Sequence, residues 1–158
     1  MIYLIDCRMS VAICSILAAK ISTEQTSELG SRANYMKKLL SIVRTRMQEN
    51  HLDITLKFTL SALWNLTDES PKTCKVFLDE DGMELFLDVL HAFPDKPEIE
   101  TKVLGLLNNI AEVSWLRTSL LVDPFIQVLR SLLHSKSIEV SYFAAGIVAH
   151  LASDKPEK

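Results

Sequence analysis

An all-α solenoid is the fold the sequence predicts, and three observations carry it. The first is composition. There are 24 leucines and only 4 glycines among 158 residues. Glycine usually makes up roughly 7% of a protein, and so low a count argues against a turn-rich β fold. Leucine propagates helices well. The second is period. Phe58–Asp68 (FTLSALWNLTD), Lys102–Glu112 (KVLGLLNNIAE) and Phe143–Ser153 (FAAGIVAHLAS) align on Asn65, Asn109 and His150, which lie 44 and 41 residues apart. Armadillo and HEAT repeats have periods of about 40–47 residues. The third is that each period divides into helix-sized apolar segments.

The first period gives Arg32–Gln48 and Asp53–Thr67 as its second and third helices. Its first helix is either fused to the second or displaced into Ser22–Ser31; Thr23–Ser31 (TEQTSELGS) is otherwise the expected flexible loop. The second period gives Lys72–Leu78 after Pro71, a break at Gly82, then Met83–Ala92 with Leu85, Phe86, Val89 and Leu90 at helical spacing. Pro94 and Pro97 mark a loop before Ile99–Val113. In the third period Trp115–Val122 comes first. Asp123-Pro124 is a helix start, a capping residue followed by a first-turn proline. Phe125–His134 and Ile138–Ala152 complete it. Val11–Ala19 matches the pattern weakly and reads as the last helix of a truncated repeat.

The expected units are therefore 1–22, the end of a truncated repeat; 23–70, 71–113 and 114–154, three armadillo-like repeats; and 155–158, a tail. Helix triplets of this kind bury their apolar faces by stacking into a right-handed solenoid whose third helices line one concave face. Apolar surface at both ends, and a mean hydropathy of +0.17, fit a fragment of a longer array.

Several function classes are disfavoured. A net charge of −3 speaks against a nucleic-acid binder held by phosphate contacts. The 11-residue apolar run Met9–Ala19 is too short for a membrane span, which takes about 20 residues. Asp6 and Arg8 before it cancel, unlike the basic start of a signal peptide. Cys7, Cys14 and Cys74 are an odd number without a C-x-x-C pair, so reduced, buried cysteines in a cytoplasmic or nuclear protein are expected. No phosphate loop, nucleotide fingerprint, zinc-protease motif or nucleophile elbow occurs, so no catalytic role, metal or cofactor is expected.

One polar pattern recurs on the third helices: Asn65-x-x-Asp68 and Asn109-x-x-Glu112. Spacing of i, i+3 puts each pair on one face. Trp64, four residues before Asp68, shares it. The third period departs, with His150 and Ser153 in these places. Two carboxylates on adjacent helices suit one small cation between them. The amides can hold a peptide backbone in both directions, and Trp64 supplies a flat wall or a cation–π face. A peptide amino terminus has this chemistry. Packing is the competing reading: an Asn here can tie neighbouring helix ends together, and acids near helix ends can be solvated. Phe143, Tyr142 and Trp115 read as core. Lys37-Lys38 and Arg44-Thr45-Arg46 read as a solvated basic face.

Three segments, ALWNLTDESP at Ala62–Pro71, GLLNNIAEVSWLR at Gly105–Arg117 and SYFAAGIVAHLASD at Ser141–Asp154, resemble the armadillo-like region of the Zyg-eleven/Zer-one family, with the Zyg-eleven homologues the nearer match. The resemblance covers essentially the whole chain. It implies a non-catalytic substrate-recognition module of a cullin-two RING ubiquitin ligase. Such a module binds proteins with an exposed amino-terminal glycine, a glycine N-degron, for ubiquitination and degradation. It also implies that Trp64, Asp68, Asn109 and Glu112, with Asn65 from the same stretch, form the pocket for the amino terminus. The cullin- and elongin-binding part and the leucine-rich repeats of the family are absent here. The alternative is a generic armadillo scaffold that holds an internal extended segment through Asn65, Asn109 and His150.

Overall fold

The computed structural model describes residues 23–153. The expected opening helix in 1–22, the tail 155–158, Cys7 and Cys14 lie outside the described residues. In chain order the helices are α1 (Thr23–Gly30), α2 (Ala33–Gln48), α3 (Ile54–Thr67), α4 (Pro71–Asp79), α5 (Gly82–Ala92), α6 (Pro97–Glu112), a 3-10 helix (Ser114–Leu120), α7 (Asp123–Leu132) and α8 (Ile138–Ser153). No strand occurs among the described residues. The all-α solenoid is the observed architecture.

The order short helix, second helix, long third helix recurs. The third helices α3, α6 and α8 lie side by side, with α6 packed against both others, and α2, α5 and α7 back onto them. The junctions are filled by leucines and phenylalanines with no exposure, including Leu56, Leu60, Leu63, Phe77, Phe86, Leu104, Leu107 and Phe125. Helix starts follow sequence signals. The Asp53 carboxylate accepts from Leu56 N–H at 3.0 Å and caps α3. Ser70 Oγ accepts from Thr73 N–H at 3.4 Å and Pro71 opens α4.

The turns explain the scarcity of glycine. Asn50, Glu69, Asp81 and Asp95 all have positive φ, between 47° and 60°, and no glycine does. Asn50, Asp81 and Asp95, with short polar side chains, and the longer Glu69 take left-handed positions where glycine is the usual choice. This corrects the expected break at Gly82: the chain turns at Asp81, and Gly82 already belongs to α5. A Cβ there would lie 2.5 Å from the Phe77 ring, so Gly82 is needed for close packing instead.

Four further expectations change. Thr23–Ser31 is no flexible loop but contains α1, the displaced first helix. It is pinned where Ser70 Oγ donates to Ser27 Oγ at 2.8 Å and where Gly30 abuts Thr73. Trp115 and Tyr142 are 60% and 71% exposed rather than core. Leu116 and Leu120 use the inward side of the 3-10 helix, and Phe143 takes the inward place beside Tyr142. The basic stretch of α2 is not a uniform solvated face. Arg46 is buried against Glu49 and Asp53, Arg44 donates to the Glu80 carbonyl at 3.2 Å, and Lys37 approaches the Glu80 carboxylate at 3.8 Å. Asp123 lies inside α7, with no side-chain cap before it.

Candidate functional site

The carboxyl ends of α3 and α6 lie against each other, and the five expected site residues fall at this junction. Trp64 is half-buried and its indole lies flat on the α6 backbone. A Cβ at Gly105 would come within 2.3 Å of Trp64 Cε2 and 2.6 Å of Cζ2. Only glycine lets the ring approach so closely. Trp64 also meets Phe143 of α8 edge-on, with centroids 5.4 Å apart and planes at 87°. Tyr142 continues the aromatic run at 5.6 Å. One aromatic surface thus crosses all three third helices.

Asn109 is buried, at 8% exposure, and works between helices. Its Nδ2 donates to the Trp64 carbonyl at 3.2 Å and to Thr67 Oγ1 at 3.1 Å. Thr67 Oγ1 in turn donates to the carbonyls of Leu63 and Trp64, at 3.1 and 2.8 Å. The donor half of the Asn109 amide therefore satisfies the last turn of α3, whose carbonyls have no helical partners. The packing role foreseen for such an Asn is real at this position. Only the carbonyl half is left for a ligand. Asn65, the repeat equivalent, is exposed instead.

Asp68 caps α3 in extended conformation (φ −63°, ψ 130°) and is exposed, as is Glu112 at the end of α6. Both carboxylates act on the buried Cys74. Its thiol is pushed up to about 12, first by burial and then by the negative charges of Glu112 and Asp68. Cys74 Sγ also donates to the Thr67 carbonyl at 3.5 Å. Among the described residues neither carboxylate has an ion-pair partner. The carboxyl ends of two helices add partial negative charge. The two helix ends thus each carry an exposed carboxylate, with the Trp64 indole one turn before Asp68.

Two residues at the carboxyl end of α6, on its α8 side, carry no signal in the repeat pattern. Asn108 Nδ2 donates to Glu112 Oε1 at 3.0 Å. Arg117 reaches back from the 3-10 helix to the carbonyls of Ala111 and Glu112, and across to Ser153 Oγ at 3.2 Å. It closes the end of α6 much as Asn109 closes that of α3. The doubled NN in GLLNNIAE was the available signal for Asn108. Nothing in spacing pointed to Arg117. His150 is half-buried on α8; its carbonyl accepts from Ser153 Oγ at 2.7 Å. Among the described residues no three His, Cys, Asp or Glu groups are placed to hold a metal ion, and no helix is long and apolar enough to cross a membrane.

Comparison with known proteins gives a consistent picture. The crystal structure of an engineered protein superposes with a TM-score of 0.63 over 91% of this chain and 63% of its own, at 21% identity, which speaks to fold alone. Among curated sequences, the human Protein zer-1 homolog is 40% identical over 152 residues, 95% of this chain. The Drosophila melanogaster Protein zer-1 homolog is 33% identical over 177 residues, and the Caenorhabditis elegans Zyg eleven-related protein 1 is 34% identical over 152. The chain spans about a fifth of the length of these relatives, 20%, 22% and 17% respectively. The family described as Protein zer-1 homolog-like, C-terminal domain, matches residues 4–158. With a family match over nearly its whole length and relatives bearing both the Zer-one and the Zyg-eleven names, the chain belongs to the Zyg-eleven/Zer-one family.

Proposed function

We propose that this chain is the substrate-binding part of a cullin-RING ubiquitin ligase receptor, and that the α3–α6 junction takes a protein amino terminus that begins with glycine. Family membership supports the receptor role, with the cullin-two and elongin contacts made by other regions of the full-length protein. The observation that carries the ligand is the pair of unpaired carboxylates, Asp68 and Glu112, beside the Trp64 indole. An α-ammonium, with a pKa of about 7.7–8, is mostly charged at neutral pH and offers three donors. Asp68 and Glu112 hold it. The exposed Asn65 amide and the Asn109 carbonyl oxygen serve the first peptide units. Trp64, packed against Gly105 and Phe143, occupies the space that a first side chain would need, so glycine enters and larger residues clash. No bond is made or broken at this site; the chain is non-catalytic. The compartment that fits is the cytoplasm or nucleus, where thiols stay reduced.

The experiment is a calorimetric titration of the protein with a Gly-initiated peptide, free and acetylated. Acetylation removes the charge, and loss of binding is the expected result. Asp68→Ala or Glu112→Ala should each cost about 2–5 kcal/mol of binding, the range for a desolvated charge contact that loses one partner, with little effect on folding. Equal binding of both peptides would sink the amino-terminus reading in favour of a groove for internal segments along Asn65, Asn109 and His150.

A further inference from the structure

Asn108 occupies the same repeat position as Trp64, and both do the same thing geometrically. Trp64 lies over Gly105 of the next third helix; Asn108 lies over Gly146 of α8, where a Cβ would come within 2.9 Å of its Oδ1. Asn108 is half-buried between the two helices while Glu112 is exposed. Its Nδ2, 3.0 Å from Glu112 Oε1, spans one helical turn. A solvent-exposed glutamate samples many rotamers, and ordering it on binding costs free energy. A side chain fixed from a neighbouring helix can meet that cost in advance. The chemistry of the partner matters too. A lysine or arginine at position 108 would orient Glu112 but neutralise it. A neutral amide orients one oxygen and leaves both the charge and Oε2 for a ligand.

We propose that Asn108 is a positioning residue. Held over Gly146, it fixes the Glu112 carboxylate at the carboxyl end of α6 without discharging it. The inference rests on the amino-terminus reading above and adds a residue that acts only through Glu112.

A double-mutant cycle tests it, with the free and the acetylated Gly-initiated peptide titrated into wild type, Asn108→Ala, Glu112→Ala and the double variant. Immobilising one side chain corresponds to roughly a two- to tenfold change in affinity, so Asn108→Ala should weaken the free peptide by that factor. In the Glu112→Ala background the same substitution should change nothing. Gly146→Ala, which dislodges the amide from the opposite helix and leaves Asn108 in place, should reproduce the partial loss. Wild-type affinity in Asn108→Ala, or an equal loss with and without Glu112, would overturn the positioning role alone. Equal binding of free and acetylated peptide by wild type would overturn the amino-terminus reading and this inference with it.

Discussion

Adding one methyl group at Gly105 should move the tryptophan wall. Ordinary carbon–carbon contacts lie at about 3.5–4.0 Å, while the new Cβ would stand 2.3 Å from Trp64 Cε2 and 2.6 and 2.7 Å from Cζ2 and Cδ2. The overlap is about 1 Å or more at three atoms of a rigid ring that also packs against Phe143. Overpacking of this kind costs about 1–3 kcal/mol. Breaking the Trp64–Phe143 edge contact adds about 0.5–1.5 kcal/mol. Against both stands the helix preference for Ala over Gly, about 1 kcal/mol. The net expectation for Gly105→Ala is a loss of about 1–3 kcal/mol. At about 2–4 °C per kcal/mol for a chain of this size, Tm should fall by roughly 2–12 °C. Binding should change in kind as well, because a displaced indole no longer excludes a first side chain. Gly-initiated and Ala-initiated peptides should become closer in affinity. The assay pairs thermal unfolding with titration of those two peptides, and Gly146→Ala is the control for the unfolding measurement. There the methyl meets only the end of an amide, so stability should stay within about 1 kcal/mol of wild type, with propensity and contact nearly cancelling. A Gly105→Ala protein more stable than wild type, with unchanged discrimination, would refute the reasoning.

Three other outcomes follow from the same geometry. Asn109→Ala leaves the Trp64 carbonyl and Thr67 Oγ1 without their α6 donor and should cost about 1–3 kcal/mol in urea unfolding, whereas Asn65→Ala, on an exposed side chain, should stay within about 0.5 kcal/mol. Glu100, buried at the start of α6, has its carboxyl raised above the usual range by burial, partly offset by the backbone groups of Asp95 and Lys96. A carboxyl whose folded pKa is raised opposes folding once ionised, so stability falls as pH rises from the unfolded value of about 4.3 through the folded one. Glu100→Gln should therefore stabilise the protein at pH 7, and the gain should vanish below pH 4 in a pH series of unfolding curves. Cys74, with its thiol near 12, holds almost no thiolate at pH 8. Its alkylation, followed by peptide mass mapping, should track unfolding and quicken in Gly105→Ala.

The third helices were the most legible part of the molecule. Their apolar period located α3, α6 and α8, and the Asn-x-x-acid pattern pointed to the helix ends where Asn109 meets the Trp64 carbonyl. What pattern could not divide was the labour there. Asn65 and Asn109 look alike in sequence, yet one is exposed and the other is sunk against the preceding helix, because only the three-dimensional stack decides which amide finds a carbonyl. Asn108 and Arg117 act across helix boundaries, which a one-helix periodicity does not see. Gly82 and Trp115 misled for a related reason. Composition marks glycine as a breaker and tryptophan as core, whereas here glycine makes room for Phe77 and tryptophan lies out of phase with Leu116 and Leu120. The helix over Thr23–Gly30 was hidden by its polarity; tertiary contacts through Ser27 and Gly30 compensate for weak local preference.

The clasp of Asn109 on the end of α3 has a mechanical consequence. The same side chain joins two repeats and borders the proposed ligand site, so the site has the geometry of the joint. Repeat arrays flex by small rotations at each joint, and here a rotation that opens the α3–α6 seam by an ångström would stretch the 3.1 and 3.2 Å hydrogen bonds, part Asp68 from Glu112 and lift the indole from its glycine together. On the proposed reading, affinity is thereby tied to the curvature of the array. Tension or a bound partner that straightens the array should release the ligand, and a ligand bridging the seam should stiffen it in return.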